Sequence, residues 1–228
     1  MGKEVSVVWD SVHGHPERVQ GFLSNGCSTW NLAPGYRAIV KCSIDPHPLL
    51  DAAVLHTVWP SPLEDCPTLE GLDVWFSNAA SPPVDRPDAV KPAVRDLLRH
   101  GGFKPSGRSK PASEYLVNAL DRAALGSINP AVDCCNVASL WSGLPISVVD
   151  PHRGCGPWAI ALAPAGTEYV FNPAGQVIAI GGLLALFDAN VPCGGPVKDS
   201  QRTKTHARTI ETISVVWGTA DLPGRIAA

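Results

Sequence analysis

Charge is scarce in this chain. Only 17% of its 228 residues are Asp, Glu, Lys or Arg, against 45% hydrophobic, and the formal net charge is −3. A protein that coats nucleic acid by charge alone needs a basic surface to neutralise phosphates, so that class is excluded; a small basic strip beside a pocket is not. Long apolar runs are missing as well. No window approaches 18 uninterrupted apolar residues, so neither a spanning helix nor a membrane partner is expected. The opening Met-Gly-Lys-Glu-Val lacks the basic-then-apolar order of a signal peptide, which makes the cytoplasm the expected compartment. Paired cysteine motifs are absent too. Cys27, Cys42, Cys66, Cys134, Cys135, Cys155 and Cys193 include no CxxC pair, so zinc-type spacing is absent and a disulfide framework is not expected; most read as reduced core thiols.

What remains is an apolar, mixed composition, unlike that of collagen, coiled coils or disordered chains, and long enough for a real core. Twenty-two prolines and 21 glycines punctuate it. Glu4–Trp9, Tyr36–Ile44 and Ala52–Trp59 are rich in Val, Ile, Ala and Trp and read as strands, with a helix as the alternative for the last. Turns are expected at Asn25-Gly26 and Ala33-Pro34-Gly35, and a loop over 79–88. Then the pattern becomes helical. Val90, Val94, Leu97 and Leu98 share one face behind an Asp88 cap, and Gly101-Gly102 stops the run. A second helix is expected from Ser113, its N-cap, to about Leu125, and a third from Asp133, its cap, to the Gly143/Pro145 break. After Pro145, strands are expected at Trp158–Ala163, Glu168–Phe171, Gln176–Ile180 and Thr209–Trp217. The fold class is therefore α+β, with helices grouped before a mostly antiparallel sheet.

Common catalytic signatures are absent: there is no GxxxxGK[ST], HExxH, GxSxG, or GxGxxG between a strand and a helix. His13-Gly-His15 has no acidic or thiol partner at metal-ligand spacing and reads as a surface turn. Cys134-Cys135 at a helix start reads as buried packing, with a thiol activated by the helix N-terminus as the sharper alternative. The informative segment runs from Gly102 through Lys110-Pro-Ala-Ser-Glu114 to Ile128-Asn-Pro-Ala-Val-Asp-Cys-Cys-Asn136 and Pro145–Asp150. Asn129 before Pro130 is biased to extended backbone, and Asp150, after an apolar stretch, is placed to fix a loop by accepting backbone N–H bonds.

This run resembles the B3/B4 domain, the editing module of the bacterial phenylalanyl-tRNA synthetase β subunit, and especially its free-standing relatives. The likeness covers roughly residues 70–218, and no known motif covers residues before it. The expected division is an N-terminal extension, 1–70, packed on the same core, followed by a B3/B4-like domain, 71–228. The resemblance implies hydrolysis of a mischarged aminoacyl-tRNA. By position, the family's Thr-Asn pair becomes Cys135-Asn136 and its pocket His becomes Ser147. Its hydroxyl-sensing Glu falls in Cys193–Asp199, where no Glu is present. Loss of that Glu removes the feature that prefers tyrosine, whereas positioning alone still supplies a share of catalysis.

Asn136, Ser147 and Glu114 are the catalytic candidates. Cys135, Arg108, Lys110, Lys198 and Thr203 are the substrate-binding ones, the cations falling in two groups (Lys104, Arg108, Lys110; Lys198, Arg202, Lys204, Arg208) suited to phosphates. The expected partner is a tRNA acceptor end or a free amino acid, with no metal and no organic cofactor. Two other functions remain open. One is an enzyme of specialised metabolism that condenses an aromatic amino acid with an aldehyde in a Pictet-Spengler manner, with Glu114, Glu168, Asp188, Asp199 and His206 as acid/base candidates. The other is a non-catalytic aminoacyl- or RNA-binding module.

Overall fold

A computed structural model describes residues 40–82, 84–189 and 191–227, together with the backbone of the short strands β1 (Lys3–Val5) and β2 (Val8–Trp9). The turns expected at 25–26 and 33–35, the His13/His15 pair and Cys27 lie outside the described residues. The architecture is α+β, built on two larger sheets and one hairpin. The longest pairing joins β4 (Leu50–Val58) to β11 (Glu211–Thr219), antiparallel over nine residues, from Leu50↔Thr219 to Val58↔Glu211. The stretch before Trp59 is thus a strand and not a helix. In β11, Ile213, Val215 and Trp217 alternate onto one fully buried face, the period-2 pattern of a strand packed on a core. β2 runs parallel to β4, and β5 (Ile146–Val149) closes the other edge, giving the order β2-β4-β11-β5.

The second sheet has the order β1-β3-β6-β9-β10. Its members are β3 (Cys42–Ile44), β6 (Trp158–Leu162), β9 (Leu184–Asp188) and β10 (Val191–Gly194), and only the β3–β6 pair within it is parallel. All five residues of β9 are buried, and Leu184–Phe187 read as an apolar run without the alternation that marks a half-exposed strand, ending on the buried Asp188. A separate hairpin pairs β7 (Glu168–Val170) with β8 (Val177–Ala179). One apolar cluster unites the two larger sheets: Ile160 and Leu186 of the second meet Val54, Val149, Ile213 and Trp217 of the first. Strands from residues before 70 therefore belong to both sheets.

Among the described residues four α-helices accompany the sheets, α1 (Leu72–Trp75) being a single turn. α2 (Val90–Arg99) buries Val90, Val94, Leu97 and Leu98 in the shared core; its cap position is Ala89, one residue after the expected Asp88. α3 (Ala112–Leu120) starts behind Pro111 and stops five residues short of Leu125, because the chain leaves through turns in which Ala123 takes φ 50°.

α4 (Pro130–Ser142) begins three residues before the expected Asp133. Asn129 is the cap, its side chain accepting from Val132 N at 3.0 Å, and Pro130 occupies the first turn, where its missing N–H costs nothing. Asp133 instead reaches back, accepting from Ile128 N (2.9 Å) and from the Ser127 hydroxyl (2.6 Å), and so fixes the loop ahead of the helix. At the far end Gly143 takes φ 74°, where a Cβ would also lie 2.8 Å from Val90 Cγ1.

Candidate active site at the seam between the sheets

β5 and β10 are edge strands of different sheets, and their outward backbone groups need partners. Asp199 supplies one. Its Oδ2 accepts from Val148 N on β5, and its Oδ1 accepts from Gly195 N just after β10, both at 3.2 Å. The close approach requires Gly194, because a Cβ there would stand 3.0 Å from Asp199 Oδ1. Ser147 ties the same seam from inside. It is fully buried, donates to Gly195 O at 3.0 Å and accepts from Trp217 Nε1 at 2.9 Å. The Ser147 hydroxyl also favours the ionised form of the nearby Asp199 carboxylate.

Asp199 is half-buried, with no Lys, Arg or His within ion-pair distance among the described residues. Burial pushes its carboxyl up from 3.8 to about 6. The bonds from Ser147, Val148 N and Gly195 N, and the more distant charge of Lys204, oppose that rise without cancelling it. Such a group is mostly ionised at neutral pH yet readily reprotonated, which is what a general base requires.

α4 forms the opposite wall. Cys135 faces Ser214 of β11, with Sγ and Oγ 3.5 Å apart, and packs beside Val148. Because α4 starts at Pro130, the vicinal cysteines sit in its second turn, beyond the reach of the N-terminal dipole. Burial raises both thiols, Cys135 to about 12, so neither is an activated thiolate. Asn136, the next residue, is half-buried and makes no side-chain hydrogen bond among the described residues. The start of α4 is tied to the 200–209 loop by Asn129 Nδ2, which donates to the Thr205 hydroxyl at 3.2 Å.

A basic and aromatic cluster adjoins this seam through Lys198. The Lys198 ammonium stands 4.1 Å from the Phe171 ring centroid and 5.5 Å from that of Tyr115. Its pKa is lowered by burial first, and then by the like charges of Arg108 and Lys204. Lys204 Nζ donates to Phe171 O at 2.7 Å, and the Tyr169 hydroxyl donates to Lys198 O. The structure thus sets Cys135 and Ser147 on opposite faces of β5, with Lys198 next to Asp199 in the chain and Arg108 close enough to Lys198 for their charges to interact. Lys110 is half-buried beyond the turn 107–109 that carries Arg108.

Two candidates stand elsewhere. Thr203 is fully buried, its hydroxyl donating to Cys193 O at 3.0 Å. Glu114 forms a two-pronged pair with Arg95 at 2.6 and 2.8 Å and lines a cavity of about 250 Å³ between α2 and α3. Of the other acid/base candidates, Asp188 is held by Arg202 and by Cys155 N, Glu168 is exposed on β7, and His206 lies 3.4 Å from Asp150. Asp150 fixes its loop as its position suggested, accepting from His152 N (2.8 Å) and from the Thr209 hydroxyl (2.6 Å).

Ser214 is the residue that sequence reasoning missed. Its signal was weak: Ser214 is one of four polar residues in Thr209–Trp217, and it faces away from Ile213 and Val215. Among the described residues no group of three or more His, Cys, Asp or Glu is arranged to hold a metal, and no helix is long and apolar enough to cross a membrane. No protein-family model matches the chain, and no curated protein sequence does.

Proposed function

We propose that this protein is a stand-alone aminoacyl-tRNA deacylase of the B3/B4 type, with Asp199 as its general base. The observation that carries the reading is the Asp199 carboxylate, held between Val148 N and Gly195 N where the two sheets meet, with no Lys, Arg or His in ion-pair distance among the described residues and its carboxyl raised by burial to about 6. Asp199 takes a proton from a water as the water oxygen bonds to the ester carbonyl carbon. The tetrahedral intermediate then collapses, the bond to the ribose oxygen breaks, and Asp199 returns the proton to that oxygen. Asn136 offers an amide N–H to the developing oxyanion. Arg108, Lys198 and Lys204 meet the phosphates of the acceptor end, and the Tyr115 and Phe171 rings receive a base or an aromatic side chain.

The test is release of amino acid from a panel of charged tRNAs by wild type, Asp199→Asn and Asn136→Ala. Selective release by wild type, lost in Asp199→Asn while the fold is kept, supports the reading. Absence of release from every tRNA overturns it.

One observation favours a second reading. A carboxyl near 6 donates a proton as readily as it accepts one, and condensing an aromatic amino acid with an aldehyde needs both. Incubation with free aromatic amino acids and aldehydes separates the two, since only the condensing enzyme consumes both. Binding of aminoacyl-tRNA without turnover of any substrate identifies a non-catalytic module instead.

A further inference from the structure

Glu114 and the cavity it lines are left unused by the seam. The cavity has a volume of about 250 Å³. Val94 and Val117 give it apolar surface, and side chains of both charges line it: Arg86 and Lys91 on one hand, Asp88 and Glu114 on the other. Ser113 is only 3% exposed and lines the cavity, and its hydroxyl has no hydrogen-bond partner among the described residues. A hydroxyl at the cavity wall can donate to and accept from a ligand that enters.

Glu114 is well placed to do more than hold Arg95. Each of its oxygens accepts one hydrogen from that guanidinium, and each keeps a further lone pair. Lys91 Nζ stands 4.0 Å from Glu114 Oε2, with its side chain 64% exposed, so it is loosely held and able to turn to a ligand anion. Opposite charges close together beside an apolar wall match a molecule that carries both charges on one carbon and an aliphatic group beyond it.

We propose that the cavity between α2 and α3 binds a free α-amino acid with a compact apolar side chain, such as leucine or valine. The ammonium lies toward Glu114 and Asp88, the carboxylate toward Lys91 and the Ser113 hydroxyl, and the side chain against Val94 and Val117. The site does not depend on the deacylase reading, because none of these lining residues contacts Asp199.

The test is calorimetric titration of the full chain with L-leucine, with 4-methylpentanoate, which lacks the ammonium, and with isoamylamine, which lacks the carboxylate. Saturable binding of leucine is expected at millimolar concentration, with each analogue at least about ten-fold weaker, since each loses a charge-assisted contact. Val117→Phe, which fills the cavity, is expected to abolish binding, and Ser113→Ala to weaken it. Asp199→Asn is expected to bind as wild type does, which separates this site from the seam. Glu114→Gln is read only where its unfolding midpoint shows that the fold is kept, and the Val117 and Ser113 variants stand without it. Absence of saturable leucine binding, equal binding of either analogue, unchanged binding in Val117→Phe, or loss of binding in Asp199→Asn each overturns the proposal.

Discussion

Replacing Asp199 with Asn keeps the shape of the side chain and removes its titration. In the folded chain the carboxyl titrates near 6, above its ordinary 3.8, so the folded state holds the proton more tightly than the unfolded state does. The contribution is fully present below pH 3.8 and is lost as pH rises through about 6, because ionising a buried carboxylate penalises only the folded state. Integrated from pH 5 to pH 8, this linkage lowers wild-type stability by about 1.4 kcal/mol. The Asp199→Asn variant has no such component, although its amide cannot serve both the Val148 and Gly195 N–H donors, which lowers its stability by a constant amount. Urea unfolding of both proteins at the two pH values isolates the effect. The wild-type advantage over the variant should shrink by about 1.4 kcal/mol at pH 8, a relative midpoint shift of roughly 0.5 M for a chain of this size. Parallel pH curves for the two proteins would refute the burial of this carboxyl.

Ser147→Ala leaves the buried Trp217 Nε1–H and Gly195 O without their shared partner. It should cost about 1–3 kcal/mol in thermal or urea unfolding, with little effect on any binding constant. Asn129→Ala removes the cap of α4 and its link to Thr205 and should cost about 1 kcal/mol, with Asn129→Ser recovering part of it in the same unfolding assay. If Arg108 and Lys198 contact the phosphates of a single-stranded acceptor end, replacing both with Ala should flatten the salt slope of tRNA binding by about 1.4. An unchanged slope would remove the cationic cluster from the binding surface.

The legible parts of the fold were those in which one face is buried and the other wet. α2 has its apolar residues at positions 90, 94, 97 and 98, and β11 alternates, so period alone identified both elements. β9 is covered on both faces and carries no alternation, and β10 contains Pro192, so neither was read as a strand. The start of α4 was displaced because Asp133 and Asn129 are both good caps, and only the tertiary link to Thr205 and the reach of Asp133 to Ile128 distinguish them.

Of the positions matched by resemblance, Cys135 packs against Ser214 and Val148 on one face of the β5/β11 pair, while Ser147 points to the other face, toward Trp217, because neighbouring strand residues alternate. In the sequence Asp199 stood only as one of five acid/base candidates for the condensation reading, with nothing to single it out. A carboxylate after a Gly-Gly turn looks like any loop acid until two edge strands of different sheets are seen to share it. Glu114 stood among the catalytic candidates, and nothing in the sequence revealed Arg95, 19 residues away, as its partner.

Single-turnover release of the amino acid, followed from pH 5 to pH 8 on the tRNA that wild type deacylates best, tests the role of Asp199 most directly. The account predicts a rate that rises with pH through about 6 and then levels, and a low rate without that rise in Asp199→Asn. A wild-type rate no faster than spontaneous hydrolysis, or the same rise in both proteins, would contradict it.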